Sequence, residues 1–285
     1  MFKPPKTSAL TKIRFYLAAR LSSAIHAFGI KTRQLIICGY PRSGTSLLYN
    51  MVSTTLATRF QFTDFEKYFM FLIHKVPSIA SKAPLDIMHI QWLDKMNINN
   101  KQIILIVVIR DIRDILISKH PLIPDQYFIG FDNSYWPSDE FDNEWNYVAP
   151  GIIDIHNKVV LSKTNPNAVI VKYEDLVTYP NDIQKKLAET FDLKFDINFV
   201  DYHTKPERLA YTYTGKHAAK DQSLVLEGQK ISKKLRKWDD TKYYKRIYDQ
   251  FNQCPKLFDI LIQYGYEQDD QWFDKIEQYI KTTQS

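Results

Sequence analysis

The sequence predicts an α/β fold, a single three-layer domain with a central parallel sheet flanked by helices. Leu35–Cys38 is an apolar run that breaks into Gly39-Tyr40-Pro41-Arg42-Ser43-Gly44-Thr45-Ser46, and helical spacing follows at Leu47, Leu48, Met51 and Val52. Gln102–Ile109 (QIILIVVI) is apolar nearly throughout, as strands covered on both faces of a parallel sheet are. Ala168–Tyr173 reads as a third core strand, and helical periods separate the three runs.

Before the first strand, Ser8–Phe28 reads as an amphipathic helix within an N-terminal element of residues 1–30, with Ser8 as cap, Gly29 as stop and Ile13, Leu17, Leu21 and Ile25 on its apolar face. A short strand is expected at Arg59–Phe62 and a helix at Glu66–His74. Pro84 marks a loop, after which Asp86 caps a helix through about Lys95. A helix from Asp111 to Lys119 completes a β–α crossover. His120 to Pro137, rich in Pro, Asp and aromatics, reads as a long surface loop facing an acceptor. Helices are then expected at Asp139–Lys163 and, with Pro180 near its start, at Asn181–Phe191. Residues 203–240 lack periodicity and form an irregular basic flap; helices return at Lys242–Tyr264 and Asp270–Lys281.

The strand–glycine loop–helix order at Gln34–Ser46 makes a phosphate cradle, since loop amides and a helix N-terminus converge on an anion. The spacing G-x4-G-x-[ST] is that of a nucleotide-binding P-loop, except that Thr45 stands where triphosphate enzymes place Lys. The positive charge lies inside the loop instead, at Arg42. The second strand runs directly into Arg110-Asp111-Ile112-Arg113-Asp114, so its first polar residue is a cation rather than an acid that helps hold Mg²⁺. Arg110 and Ser118, across the start of the next helix, are suited to grip one phosphate by guanidinium fork and hydroxyl. Two arginines without a metal carboxylate suit a polyanion bound without metal.

With 45% hydrophobic and 25% charged residues over 285 positions, the chain is an ordinary globular one with a substantial core. No apolar run reaches the roughly 18–20 residues that span a bilayer, and no signal peptide is evident, so the cytoplasm is expected. Cys38 and Cys254 are expected as free thiols, and no Cys/His cluster has zinc spacing. The net charge is +6, yet residues 203–246 alone hold 12 Lys and Arg against 5 Asp and Glu. The remainder is close to neutral, which points to a local anionic ligand. No recognition-helix motif or RNP-type aromatic set accompanies that segment, which argues against nucleic acid.

The loop and the second-strand motif resemble the sulfotransferases that use 3′-phosphoadenosine 5′-phosphosulfate (PAPS). Pro41-Arg42-Ser43-Gly44-Thr45-Ser46 is similar to that family's 5′-phosphosulfate loop, and Arg110 through Ser118 to its 3′-phosphate motif. Val171-Lys172-Tyr173-Glu174-Asp175-Leu176 resembles the strand end near the adenine, and Leu257–Glu267 the helix that closes many such domains. The resemblance implies a P-loop NTPase-like fold over residues 1–285, PAPS as donor with PAP as product, no metal, and an acceptor hydroxyl. Pro41–Thr45 together with Lys82 looks more like the glycan and tyrosyl-protein branch than the small-molecule branch, so a carbohydrate acceptor is expected.

The same resemblance suggests roles. Arg42 becomes the leaving-group cation, and Pro41, Ser43, Gly44, Thr45 and Ser46 surround the 5′-phosphate. Lys82 touches the transferring group. The base is an acid some twenty-odd residues beyond the cradle: Glu66 leads, Asp64 follows, and His89 and His120 stand behind them. Arg110 and Ser118 hold the 3′-phosphate, Arg113 and Asp114 position the loop, and Tyr173 stacks on or bonds adenine. Lys216, Arg236 and Trp238 are candidates to close over the nucleotide, although the flap departs from the small-molecule members' Arg-Lys-Gly closing motif. A P-loop kinase of small molecules, disfavoured by Thr45, and a non-catalytic PAP/PAPS-binding protein are the competing readings.

Overall fold

The computed structural model describes residues 32–64, 66–75, 77–120, 123–135, 148–210 and 235–283, together with Leu17 and Arg20. Chain order gives β1 (Arg33–Gly39), α1 (Thr45–Thr55), β2 (Gln61–Phe62), β3 (Ile79–Lys82), the single-turn α2 (Leu93–Met96) and β4 (Gln102–Ile109). Next come α3 (Ile112–Leu116), β5 (Lys119–His120), β6 (Ile123–Tyr127), β7 (Asn133–Tyr135), β8 (Val148–Pro150), α4 (Ile152–Ser162), β9 (Ala168–Lys172) and α5 (Tyr173–Thr178). Helices α6 (Pro180–Phe191), α7 (Tyr244–Gln253), α8 (Lys256–Gln263) and α9 (Asp274–Thr283) follow.

Five strands form one parallel sheet in the order β2-β3-β1-β4-β9. Their alternating side chains build two cores, one on each face. Leu35 and Ile37 of β1 join Ile104, Ile106 and Val108 of β4 under α1 and α6, through Leu48, Met51, Val52, Ile183 and Leu187. The opposite parity, Ile36 and Cys38 with Leu105, Val107 and Ile109, packs against α4, α7, α8 and α9 through Ile155, Val159, Phe251, Leu261 and Ile276. The central strands are therefore apolar on both faces, as their composition requires.

Register brings the chemistry to one edge. Ile37 of β1 lies beside Lys82 of β3 and Ile106 of β4, while Ile109 of β4 lies beside Lys172 of β9. The residues leaving these four adjacent strands thus emerge together at the carboxyl end of the sheet, where open α/β sheets bind ligands. Among the described residues, no helix is long and apolar enough to cross a membrane.

Several elements differ from expectation. β3 has no strand signature, because only four residues of it are ordered into the ladder and one is a lysine. The Tyr49 hydroxyl of α1 holds this edge by donating to the Ala80 carbonyl (3.0 Å). Between Glu66 and His74 only Phe69–Phe71 forms a single 3₁₀ turn. Pro84 is the first residue of a 3₁₀ helix, Pro84–Trp92, rather than a loop marker. Asp86 does not cap that helix; its buried carboxylate accepts the Phe69 amide instead (3.0 Å), and burial pushes its pKa well above the usual carboxylate range.

The Asp111–Lys119 helix ends at Leu116, with Asp111 as its cap, and the expected 120–137 loop holds strands β6, paired with β5, and β7, paired with β8 beyond it. Of the helix expected over Asp139–Lys163, residues 139–147 lie outside the described residues, Val148–Pro150 is a strand and Ile152–Ser162 is helical. The 242–264 helix divides at Cys254 and Pro255: Pro255 has no amide to continue the ladder, and Cys254 is pushed to φ −140°, ψ 84°. The last helix begins at Asp274, after a 3₁₀ turn at Gln271–Phe273. Cys38 and Cys254 are both free thiols. The Ser8–Phe28 helix, apart from Leu17 and Arg20, and flap residues 211–234 lie outside the described residues.

The loop after β1 is fixed by the Val108 carbonyl of β4. Tyr40 N–H donates to it (3.2 Å), and the Ser43 hydroxyl lies within hydrogen-bond distance (3.1 Å). Gly39 crosses it at φ +136°, where a Cβ would sit 2.0 Å from the Val108 oxygen. Backbone rather than a flexible side chain blocks that space. Gly39→Ala should therefore destabilise the fold by about 2 kcal/mol or more; urea unfolding measures this, and a loss near zero would contradict the packing described.

Candidate active site

The cradle is built by backbone conformation before any side chain is considered. Arg42 (φ +66°) and Gly44 (φ +93°) are left-handed on either side of Ser43, and this alternation turns successive amides toward one concavity. Helix α1 then starts at Thr45 with no side-chain cap on its first turn. Its leading amides face the concavity with the positive end of the helix dipole behind them.

Two side-chain clusters flank this loop. On the β4 side, Arg42 Nε donates to Ser118 Oγ (2.9 Å), and Arg110 Nη1 donates to the Arg42 carbonyl (3.2 Å). Arg110 leaves β4 with its guanidinium over the Tyr173 ring, 4.3 Å from the centroid, and its Nη2 on Asp114 (2.9 Å). Its Nε is buried and without a hydrogen-bond partner. Arg42, Arg110 and Ser118 are therefore clustered on one side of the loop, and Asp114 is the carboxylate paired to Arg110. Glu174, which follows Tyr173, accepts the Asp111 amide (3.1 Å).

On the β3 side, Lys82 ends its strand 1% exposed, with Nζ donating to Ser46 Oγ (2.9 Å) and to Glu66 Oε1 (2.5 Å). Burial pulls its pKa below the usual lysine range; the Glu66 carboxylate opposes this, and the nearby Arg42 charge adds to it. A buried lysine is costly unless paired and hydrogen-bonded, and Lys82 is both; a charge so perturbed is also characteristic of functional sites. Glu66 is one-third exposed at 33%. Asp64 is exposed and is not the acid joined to Lys82.

The remaining candidates separate. The Ser43 side chain is buried and donates to the Tyr40 carbonyl (2.6 Å), so its hydroxyl secures the loop rather than facing a ligand. Pro41 is buried beneath the loop, and Thr45 is buried at the helix start. His89 is buried between Tyr68 and Trp92, with its pKa lowered to about 4 by burial; it is a core histidine. Trp238, expected over the nucleotide, is fully buried: its ring packs on Arg113 and Trp272, and its amide donates to Asp114 Oδ1 (3.1 Å). Arg113, expected to position the loop, is likewise internal, paired to Asp111 (2.7 Å) and Glu267 (2.5 Å). Arg236 is exposed at φ +54°, beside Asp239. Lys216 lies outside the described residues.

Sequence reading missed Tyr173's relation to the loop. A Cβ on Gly44 would meet Tyr173 Cδ2 at 2.4 Å, so the aromatic ring is seated directly on the glycine. The glycine's position one residue before α1 was the available signal, but its partner is remote in sequence.

The arrangement offers positions for two anionic groups: an uncapped helix N-terminus for one, and Arg110 with Ser118 for another. The described residues contain no group of three His, Cys, Asp or Glu placed to hold a metal. A family model described as the sulfotransferase domain matches residues 32–259. A comparison with curated proteins returns no match. Among solved structures the chain is similar to mouse sulfotransferase SULT7A1 complexed with PAP, at 14% identity over 87% of this chain and 89% of that one, TM-score 0.47. It is also similar to the sulfotransferase domain from the Synechococcus PCC 7002 olefin synthase, at 15% identity over 74% and 88%, TM-score 0.46. A third similarity is to the sulfotransferase domain from the curacin biosynthetic pathway, at 11% identity over 71% and 84%, TM-score 0.37.

The Gly44–Tyr173 contact makes a prediction. Gly44→Ala should cost about 1–3 kcal/mol, and adding Tyr173→Ala should return the part due to the ring, leaving the part due to positive φ. Thermal unfolding of the single and double variants checks this; a strictly additive pair would contradict the contact.

Proposed function

The chain belongs to the sulfotransferase family, and from that premise we propose that it moves a sulfuryl group from PAPS to a carbohydrate hydroxyl. The observation that carries this reading is the placement of Lys82, Ser46 and Glu66 on one side of the loop and Arg42, Ser118 and Arg110 on the other. One side suits the transferring group and acceptor; the other suits the donor's phosphates. PAPS, when bound, supplies the sulfuryl group and departs as PAP.

The chain's own residues do the rest. Sulfuryl transfer resembles phosphoryl transfer in needing in-line placement and charge stabilisation more than covalent work by the protein. Amides of Gly44, Thr45 and Ser46 orient the 5′-phosphate, while Arg110 and Ser118 bind the 3′-phosphate. Arg42 stabilises charge developing on the leaving phosphate, and Lys82 stabilises the transferring group. Glu66 accepts the proton of the acceptor hydroxyl at its carboxylate, which the hydrogen bond from Lys82 orients. The sequence resemblance of Lys82 and Glu66 to the glycan and tyrosyl-protein members, with the two side chains in contact, supports the carbohydrate reading.

Transfer from labelled PAPS to a panel of glycans and small phenols tests the function. Glycan labelling is expected, and PAP binding without transfer to any acceptor would make this a binding protein instead. Arg42→Ala should lower kcat by about 10²–10³ with little change in PAP affinity. Arg110→Ala should weaken PAP binding by about 10–100-fold. Glu66→Gln should slow transfer by about 10²–10⁴ with PAP affinity intact; near-normal turnover would move the base elsewhere.

A further inference from the structure

Helix α8 ends in a tight left-handed turn that aims the next two residues back at the sheet edge. Gly265 takes φ +65°, its amide donates to the Ile262 carbonyl (2.9 Å), and the Tyr266 amide reaches the Leu261 carbonyl (2.9 Å). This is the paired hydrogen-bond pattern with which a left-handed glycine closes a helix. Lys172, the last residue of β9, donates from Nζ to the Tyr264 carbonyl (2.5 Å) and docks the turn on the strand.

Tyr266 and Glu267 then act on one target from two sides. The Tyr266 hydroxyl donates to Glu174 Oε2 (2.8 Å), and the other oxygen of that carboxylate accepts the Asp111 amide (3.1 Å). Glu267 Oε1 accepts from Arg113 Nη1 (2.5 Å), and Arg113 grips the Asp111 carboxylate through Nε (3.0 Å) and Nη2 (2.7 Å). Asp111 directly follows Arg110, so its amide and its carboxylate are each fixed through a different residue of the tail. Glu174 directly follows Tyr173, the ring beneath the Arg110 guanidinium.

We infer that Tyr266 and Glu267 are positioning residues for the 3′-phosphate contact, acting through Glu174 and Arg113 on the backbone that carries Arg110. The inference rests on the donor reading above. It adds a specificity role for a segment some 150 residues downstream of the arginine it serves: Glu267 and Arg113 are separated by 154 positions. Charge-assisted hydrogen bonds of this kind are short and directional, and a guanidinium must be held in register to meet a phosphate by its fork.

The test compares PAP with adenosine 5′-monophosphate, which differs from it by the 3′-phosphate alone. Calorimetry on wild-type protein, Tyr266→Phe and Glu267→Gln is accompanied by a thermal melt of each. Each substitution severs one of the two routes, so either soluble variant suffices. PAP affinity should fall by about tenfold, while affinity for adenosine 5′-monophosphate should change by less than about twofold. Equal losses for both nucleotides, or an unchanged PAP affinity, would overturn the inference by reducing the tail to scaffold. A wild-type protein that does not distinguish the two nucleotides would instead overturn the donor reading itself, before any variant is compared.

Discussion

No side chain fits at residue 39, and the site depends on that. The chain leaving β1 crosses the Val108 carbonyl of β4 so closely that a Cβ would lie 2.0 Å from the oxygen. Tyr40 and Ser43 then fasten the loop to the same carbonyl. The crossing draws the loop over the neighbouring strand and delivers Arg42 beside Ser118 and Arg110, residues that the sequence places 76 and 68 positions away. Had the loop stood clear of β4, Arg42 would lose its hydrogen bonds with Ser118 and Arg110.

Charge shapes this arrangement. Lys82 pairs with Glu66, and Arg110 pairs with Asp114. Concentrating like charges around a helix N-terminus is unfavourable in the folded protein and becomes favourable when a polyanion enters. Arg42 also adopts a left-handed backbone that non-glycine residues rarely take, a local cost of the kind found at functional sites. Lys82 shows the same logic from the other side: buried, pulled toward its neutral form, and held charged by Glu66. By contrast, Arg113 has its charge answered internally by Asp111 and Glu267 and its plane covered by Trp238. It braces the loop and offers nothing to a ligand.

Much of this was legible in the sequence because it is local. The β1 loop, the long apolar β4 and the Arg110-to-Ser118 spacing each announce themselves within a dozen residues, whereas the arrival of Arg42 beside the other two is a property of the fold. Glu66 and Lys82 were named individually, but β3, the strand that joins them, was not foreseen. A four-residue strand ending in lysine carries too little period-2 signal, and its place beside β1 comes from tertiary hydrogen bonds such as that from Tyr49. Trp238 was misjudged because a basic, aperiodic neighbourhood reads as surface, whereas the ring is buried against Arg113 and Trp272 by residues far along the chain. Tyr266 and Glu267 were visible only as part of a closing helix; their reach to Glu174 and Arg113 is a property of the fold.

On the reading proposed above, two guanidinium groups and an uncapped helix N-terminus together select an adenosine bearing anionic groups at both its 3′ and 5′ positions. Calorimetry of the wild-type protein with PAP, ADP and ATP, each with and without Mg²⁺, tests it most directly. The account predicts that PAP binds about a hundredfold tighter than ADP and that Mg²⁺ makes no difference. Tightest binding by ATP, and only when the metal is present, would contradict it.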